Sequence, residues 1–373
     1  MTGIYIHIPF CDRLCNYCDF FRTVSAEGRR EYPQALAREL EHAAGFIAAG
    51  PADTIYIGGG TPTVYPPDTL HEIVDIVQRR FPAAPGAEIT AEANPDDLTQ
   101  EYASALARTP VNRLSIGIQS FDDETLRAMN RRHDARTAAE AVRNAQRAGF
   151  GNISADLIFG IPGRRSGLLD RDLEAMLSLG VQHISAYHLT IEEKTVFGVR
   201  ERRGELSPVS DEESERQFLR VHEVLTAAGY EHYEVSNYAL PGFRARHNSG
   251  YWHGMHYLGL GPGAHSYNGR ERRWCRLPVG RYLREAGSPQ IYEGELLTQD
   301  DLYNEYVMTA LRCSDGLLPG DLGERFGAHK LLCFERCAAR ALAAGNMVRE
   351  GERVRIPAEK FLVSDSIISD FFA

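Results

Sequence analysis

The stretch IYIHIPFCDRLCNYCDF, Ile4 to Phe20, decides how this chain is read. An apolar, β-rich run, Ile4 to Ile8, passes through Pro9 and Phe10 into Cys11, Cys15 and Cys18, spaced CxxxCxxC. Four thiolates ordinarily complete a [4Fe-4S] cluster. Three in one short loop can therefore hold three irons and leave the fourth open to a ligand that the chain does not supply. A zinc ion is the competing occupant, but a structural zinc site wants a fourth ligand nearby, and the nearest imidazole is His7. The remaining cysteines, Cys275, Cys313, Cys333 and Cys337, lie far off in sequence. Cys333 and Cys337 fall in a helical pattern, where a small thiol is an ordinary packing residue.

Outward from this stretch, the first half of the chain alternates two periodicities. Ile4 to Ile8, Thr54 to Ile57, Glu88 to Ala91, Arg113 to Ile118, Ile153 to Phe159 and His183 to Leu189 read as strands. Between them Tyr32 to Gly45, Pro67 to Phe81, Thr99 to Arg108, Asp134 to Gly149 and Gly167 to Leu179 carry apolar residues at helical spacing. Repeated strand and helix, with crossovers of roughly 25 to 35 residues, builds a parallel sheet. The predicted fold is α/β, a partial (β/α)6 TIM-like barrel whose working face is the C-terminal edge of the strands. A doubly wound open sheet is the rival and would place its site at a switch point.

Past Thr190 the pattern changes. Residues 1–200 read as the barrel with its cluster and cofactor site, 201–296 as a barrel extension carrying loops on the ligand side, and 297–373 as a small helical, winged-helix-like domain. Asp211 to Gly229 predicts a helix and Tyr230 to Tyr238 an extended piece. His247 to Tyr267, HNSGYWHGMHYLGLGPGAHSY, holds so many glycines that it reads as close-packed loop at the mouth of the site. The last unit predicts a strand-like piece at Val354 and Ile356 and a terminal helix, Ser364 to Phe372.

The whole chain has 373 residues and a formal charge of −10, which argues against a protein that coats nucleic acid or an anionic membrane. No apolar run approaches the length of a membrane span. Met1 to Phe10 lacks the basic and apolar regions of a secretion signal, so the expected location is the cytoplasm. Seven cysteines, three of them within eight residues, are no disulfide framework.

CxxxCxxC after a first strand, followed by the glycine-rich strand end GGGTP, Gly58 to Pro62, resembles the radical S-adenosylmethionine (SAM) superfamily. The resemblance implies that the amino and carboxylate groups of SAM chelate the open iron, and that the reduced cluster cleaves the sulfonium to a 5'-deoxyadenosyl radical. On that footing the backbone of Gly59, Gly60 and Thr61 meets the amino-acid end of SAM, and Glu92 pairs with its ammonium. Gln119 and Arg131 serve the ribose hydroxyls and the carboxylate, and Asp156 the adenosine side. Tyr5 and Tyr17 flank the cluster loop, shielding the sulfurs and positioning adenine.

YIHIPFC, CNYC, GGGTPT, EANP, SIGIQSF, NRRHD, DLIFGIPG, EVSNYA and GAHSY together resemble the family of oxygen-independent coproporphyrinogen III oxidase over essentially the whole chain. The decarboxylating enzymes of that family resemble CxxxCxxCxC behind a long N-terminal extension. Here Phe20 stands at the last cysteine position, ten residues precede Cys11, and HNSGYW, His247 to Trp252, matches the HNxxYW signature of the heme chaperone branch. That branch implies a [4Fe-4S] protein that binds SAM and heme and delivers heme to a membrane respiratory enzyme, directly or through a heme carrier protein. His247 offers an imidazole to the iron or a propionate, and Tyr251 and Trp252 offer aromatic surface. His253, His256 and His265 compete for the ligand role, and the other reading of His247 and Asn248 is that they pin their loop by hydrogen bonds. The alternative function is the oxidase itself, which would abstract hydrogen from propionate side chains and decarboxylate them to vinyls; cleavage of SAM needs only the three-thiolate cluster and its pocket. Delivery implies transient membrane docking, for which the acidic charge supplies no general attraction. A homodimer accords with the family, although no heptad specifies it, and nucleic acid is not expected as a partner.

Overall fold

A computed structural model describes residues 1–165 and 167–373. Six strands, β1 (Thr2–Ile8), β2 (Ala52–Gly59), β3 (Ala83–Ala93), β4 (Arg113–Gln119), β5 (Ile153–Phe159) and β6 (His183–His188), pair in parallel in the order of the sequence. Sequential order without a switch point is the winding of a barrel, and it excludes the doubly wound rival. Helices Tyr32–Ala43, Pro67–Gln78, Gln100–Leu106, Ala135–Arg147 and Leu168–Ser178 cover the outer face. Side chains alternate along β1 for this reason. Ile4, Ile6 and Ile8 are fully buried in one core with Leu36 and Leu70 of the helices, while Tyr5 and His7 take the inner face.

The sheet continues past both ends of this set without closing. On one side β7 (Glu231–His232) and β8 (Asn237–Ala239) form a short antiparallel hairpin against β6. On the other, β9 (His256–Leu260) runs parallel to β1, followed by antiparallel β10 (His265–Tyr267), β11 (Glu271–Cys275) and β12 (Tyr292–Leu296). The loop reading of 247–267 is therefore corrected. The segment forms a helix, Arg246–Trp252, and two strands. Its glycines mislead because several punctuate elements instead of interrupting them: Gly254 (φ 71°) and Gly261 (φ 97°) follow the helix and β9 in conformations that suit glycine. Gly259 lies within β9 because a Cβ there would meet the His265 backbone at 2.0 Å.

Beyond Leu296 come helices Gln299–Leu311 and Pro319–Ala343, the latter broken at Gly327, then a hairpin of β13 (Val348–Glu350) and β14 (Arg353–Arg355) and a terminal helix, Ser364–Ser369. Helices followed by a hairpin make up this C-terminal region. It is fastened to the sheet by Ser314 N–H to the Tyr233 carbonyl (3.0 Å) and by an Arg244–Asp315 ion pair (3.0 Å). No helix among the described residues is long and apolar enough to cross a membrane.

Candidate functional site

The C-terminal ends of β1 to β6 open into a cavity of about 610 Å³, and Cys11, Cys15 and Cys18 line it together, none in a disulfide. The loop that carries them is closed at its neck by Cys11 N–H donating to the Thr23 carbonyl (2.9 Å) and Thr23 N–H to the Pro9 carbonyl (2.7 Å). Its far side is fastened, one residue after another, to NRRHD. Asn130 Nδ2 donates to the Leu14 carbonyl (2.7 Å), Arg131 Nη1 to Cys15 Sγ (3.3 Å) and Arg132 Nη1 to Asp12 (2.6 Å). His133 Nε2 donates to the Ile118 carbonyl (3.0 Å), and Asp134 caps the following helix through Thr137 N–H (2.7 Å). Arg132 also pairs with Asp96 and Asp97, so one guanidinium ties the cluster loop to the loop after β3.

The donor set fits an iron–sulfur cluster. Arg131 and Thr61 (Oγ1 to Cys11 Sγ, 3.5 Å) both aim a donor at a sulfur, the kind of contact that tunes a cluster. Among the described residues no three of His, Cys, Asp and Glu converge to hold a single metal ion. A cubane spreads its thiolates over separate irons, so convergence on one point is not what three such cysteines require.

Across the cavity stand two half-buried carboxylates, neither in ion-pair contact with a cation among the described residues. Glu92 accepts from Tyr56 Oη (2.9 Å) and Gly59 N–H (3.0 Å), and burial pushes its carboxyl up to about 7. Asp156 accepts from Ser115 Oγ (3.4 Å), and burial pushes it up to about 6. Partly buried acids facing a cleft, Glu92 with no cation beside it and Asp156 with only the more distant Arg113 and Arg131, are suited to a cationic ligand. Gln119 and Arg131 line the same cavity, Gln119 in the left-handed region at φ 69°, a strained conformation for a residue with a side chain. Tyr17 lines it as well.

Three placements differ from the sequence reading. The amides of the glycine run are already engaged: Gly59 with Glu92, Gly60 with the Ile8 carbonyl (2.7 Å) and Thr61 with the Phe10 carbonyl (2.8 Å). The run serves the site by absence of bulk, since a Cβ on Gly60 would meet Phe10 O at 2.7 Å and Cys11 Sγ at 3.1 Å. Tyr5 does not border the cluster cavity. It hydrogen-bonds His7 Nδ1 (3.0 Å) and faces a second cavity.

His247 is enclosed at 1% exposure, with Nδ1 on Thr54 Oγ1 (2.8 Å), Nε2 on Tyr251 Oη (2.8 Å) and its ring stacked on Tyr56 (5.1 Å between centroids). Burial pushes the imidazole down to about 3, so it is neutral. Arg246 and His247 N–H both donate to Glu88 of β3 (2.9 Å each). Their helix forms the partition between two cavities. Asn248 borders the cluster cavity, whereas Tyr251 and Trp252 border the second, of about 990 Å³, which lies between the β9–β10 face and the C-terminal helices.

Residues that sequence reasoning missed include Tyr56, Asn94 and Arg113. Tyr56 was legible in principle, since it shares the inner face of β2 with the strand end that was singled out. Asn94, which accepts from Arg131 Nη2 (2.7 Å), stood within the EANP motif but was assigned no role there.

The chain is similar to known proteins along most of its length. Residues 5–175 match the family model of the radical SAM superfamily. The heme chaperone HemW of Mycobacterium tuberculosis is 36% identical over 379 residues, covering 98% of this chain and 93% of that protein. HemW of Bacillus subtilis is 35% identical, covering 88% and 87%, and HemW of Escherichia coli 37% identical, covering 76% and 72%. Among solved structures, the radical SAM enzyme coproporphyrinogen III oxidase (HemN) of Escherichia coli superposes with a TM-score of 0.84 at 22% identity, covering 100% of this chain and 90% of that one, a likeness of fold.

Proposed function

The chain belongs to the HemW family of the radical SAM superfamily, and from that premise we propose that it is a heme chaperone that binds heme and passes it to a membrane respiratory enzyme, directly or through a heme carrier protein. The observation that carries the reading is similarity to HemW along 98% of the chain, the C-terminal unit included. Phe20 in place of a further cysteine supports the same branch.

In this reading Cys11, Cys15 and Cys18 hold a [4Fe-4S] cluster and SAM takes the remaining coordination position. When bound, the pair supplies one-electron reduction of the sulfonium. The chain's own residues do the rest. Arg131 and Thr61 donate to the sulfurs, and Glu92 balances the ammonium of SAM. Gln119, Arg131 and Asp156 fix its polar groups. Tyr17 borders the cavity and limits the approach of water, while Phe20 borders it but is mostly exposed. Tyr251 and Trp252 give heme an aromatic wall, while His247 and Asn248 hold the helix that presents it. The protein works in the cytoplasm, docks transiently at the membrane, and can pair with a second copy of itself.

The test is anaerobic. The cluster is reconstituted and reduced with SAM present, coproporphyrinogen III decarboxylation is assayed, and heme is titrated by absorbance. Saturable, stoichiometric heme binding without tetrapyrrole product is the expected result. Turnover of coproporphyrinogen at ordinary enzyme rates would overturn the reading and make the chain an oxidase.

A further inference from the structure

The second cavity, about 990 Å³, is larger than the cluster cavity and sits at the upper end of the volumes that enclose small-molecule ligands, roughly 300–1,000 Å³. One wall is the inner face of β9 and β10. Tyr257 pairs directly with Tyr267, and by strand alternation His265 projects from the same face two residues earlier. The opposite wall comes from the C-terminal unit and includes Tyr306 and Phe326, whose rings lie 5.7 Å apart. Two facing aromatic walls suit a flat, conjugated molecule.

The charges at this cavity are distributed unevenly. Glu305 is neutralised by Arg272 (2.7 Å), and Asp315 by Arg244 and His253. Arg325 lies over the Tyr306 ring (4.8 Å), and Arg353 donates only to the Asp315 carbonyl (3.2 Å). Neither is in ion-pair contact with a carboxylate among the described residues. The lining carries three guanidiniums and three carboxylates, and Asp321 is the one such acid without an ion-pair contact among the described residues, against the two arginines that have none. His265 stacks on Trp274 (5.7 Å), and neither of its ring nitrogens is hydrogen-bonded among the described residues. It differs in this from His247, both of whose nitrogens are engaged behind Tyr251.

Resting on the proposed function, we infer that heme sits in this second cavity, its two carboxylates on Arg325 and Arg353 and its iron facing His265. A planar macrocycle with two carboxylates and an open metal position calls for two stacking walls, two free guanidiniums and a free imidazole, and this cavity brings them together. The cargo seat is then separate from the cluster cavity, with the Arg246–Trp252 helix as the partition between them.

The test uses the full-length, cluster-reconstituted protein and ferric heme. Replacing both arginines (Arg325→Ala with Arg353→Ala) is expected to weaken heme binding at least about tenfold. Heme dimethyl ester, which lacks the carboxylates, should bind the variant and the unaltered protein alike. His265→Ala should lose the imidazole-ligated absorbance and electron paramagnetic resonance signature and regain it with added imidazole. SAM binding, which uses the other cavity, reports that the variants are folded. Unchanged heme affinity in the arginine variant overturns the seat, and an unchanged signature in His265→Ala overturns the ligand. An unaltered protein that binds no heme overturns the proposed function itself, a result distinguishable from both.

Discussion

At the scale of single residues the two cavities are told apart by what each leaves uncompensated. The cluster cavity keeps two half-buried acids without an ion-pair partner, Glu92 and Asp156, and desolvation raises both. The sign of the consequence follows from linkage. A carboxyl held up to about 7 in the folded chain binds a proton that the unfolded chain has released above about 4.5, so ionising Glu92 destabilises the ligand-free protein as pH rises through 7. A cationic ligand reverses that cost. Glu92→Gln should stabilise the ligand-free protein at pH 8 by about 1–3 kcal/mol while weakening SAM binding about tenfold or more. Urea unfolding and equilibrium binding measure the two effects, and a loss of both stability and binding would mean that Glu92 only holds Tyr56 and Gly59 in place.

At the scale of elements, the site depends on where backbone is allowed to approach backbone. The run after β2 meets the cluster loop so closely that Gly60→Ala must displace the Phe10 or Ile8 carbonyl or the Cys11 sulfur. The variant should lose about 1–3 kcal/mol and retain less iron after reconstitution, measured by thermal unfolding and iron content. The partition helix hangs on a different device. Glu88, reaching from β3, accepts the N–H groups of Arg246 and His247 and lies 4.0 Å from the buried Arg113. Glu88→Ala would strand two donors and a buried guanidinium at once. A loss of about 2–4 kcal/mol in urea unfolding is expected, with faster amide exchange along Arg246–Trp252.

At the scale of the whole molecule, buried titratable groups of opposite kind act against one another. His232 and His247 are pushed down to about 3 by burial, so the stability they permit is present above 6.5 and is lost as pH falls towards 3. Glu92 and Glu234, both held up to about 7 by burial, gain stability over the interval from 7 down to about 4.5. Between pH 5 and 6.5 the two sets partly offset each other. Below about 4.5 the acids are protonated in both states and the histidines still titrate. His7 and His183 are pushed down as well and Asp156 is pushed up, so stability should decline as pH drops below 6.5 and decline more steeply below about 4.5, where the glutamates no longer offset the histidines. Chemical unfolding against pH measures this, and His247→Gln should make that slope shallower.

Much of the cluster site was legible because it is local. Three cysteines within one loop, the six parallel strands and the residues at their C-terminal ends follow from spacing and side-chain alternation, which neighbouring residues impose whatever the rest of the chain does. Glu92 and Gln119 share the cavity because each stands at or next to the end of its strand, whereas Asp156 lies midway along Ile153–Phe159 and reaches the cavity from the inner face, not from a strand end. Hydrogen bonding and burial are decided by contacts between distant parts of the chain, and there the sequence was silent or misleading. The glycine run showed its missing side chains but not that its amides were already engaged. HNSGYW showed an imidazole beside aromatic residues, while Thr54, 193 positions away, is what occupies His247 Nδ1 and turns the segment into a partition. The sequence alone determined which chemistry-bearing residues the chain carries and on which strands most of them stand. Only the tertiary structure decided which of their polar atoms remain free, because each such atom is claimed or spared by a partner from elsewhere in the fold.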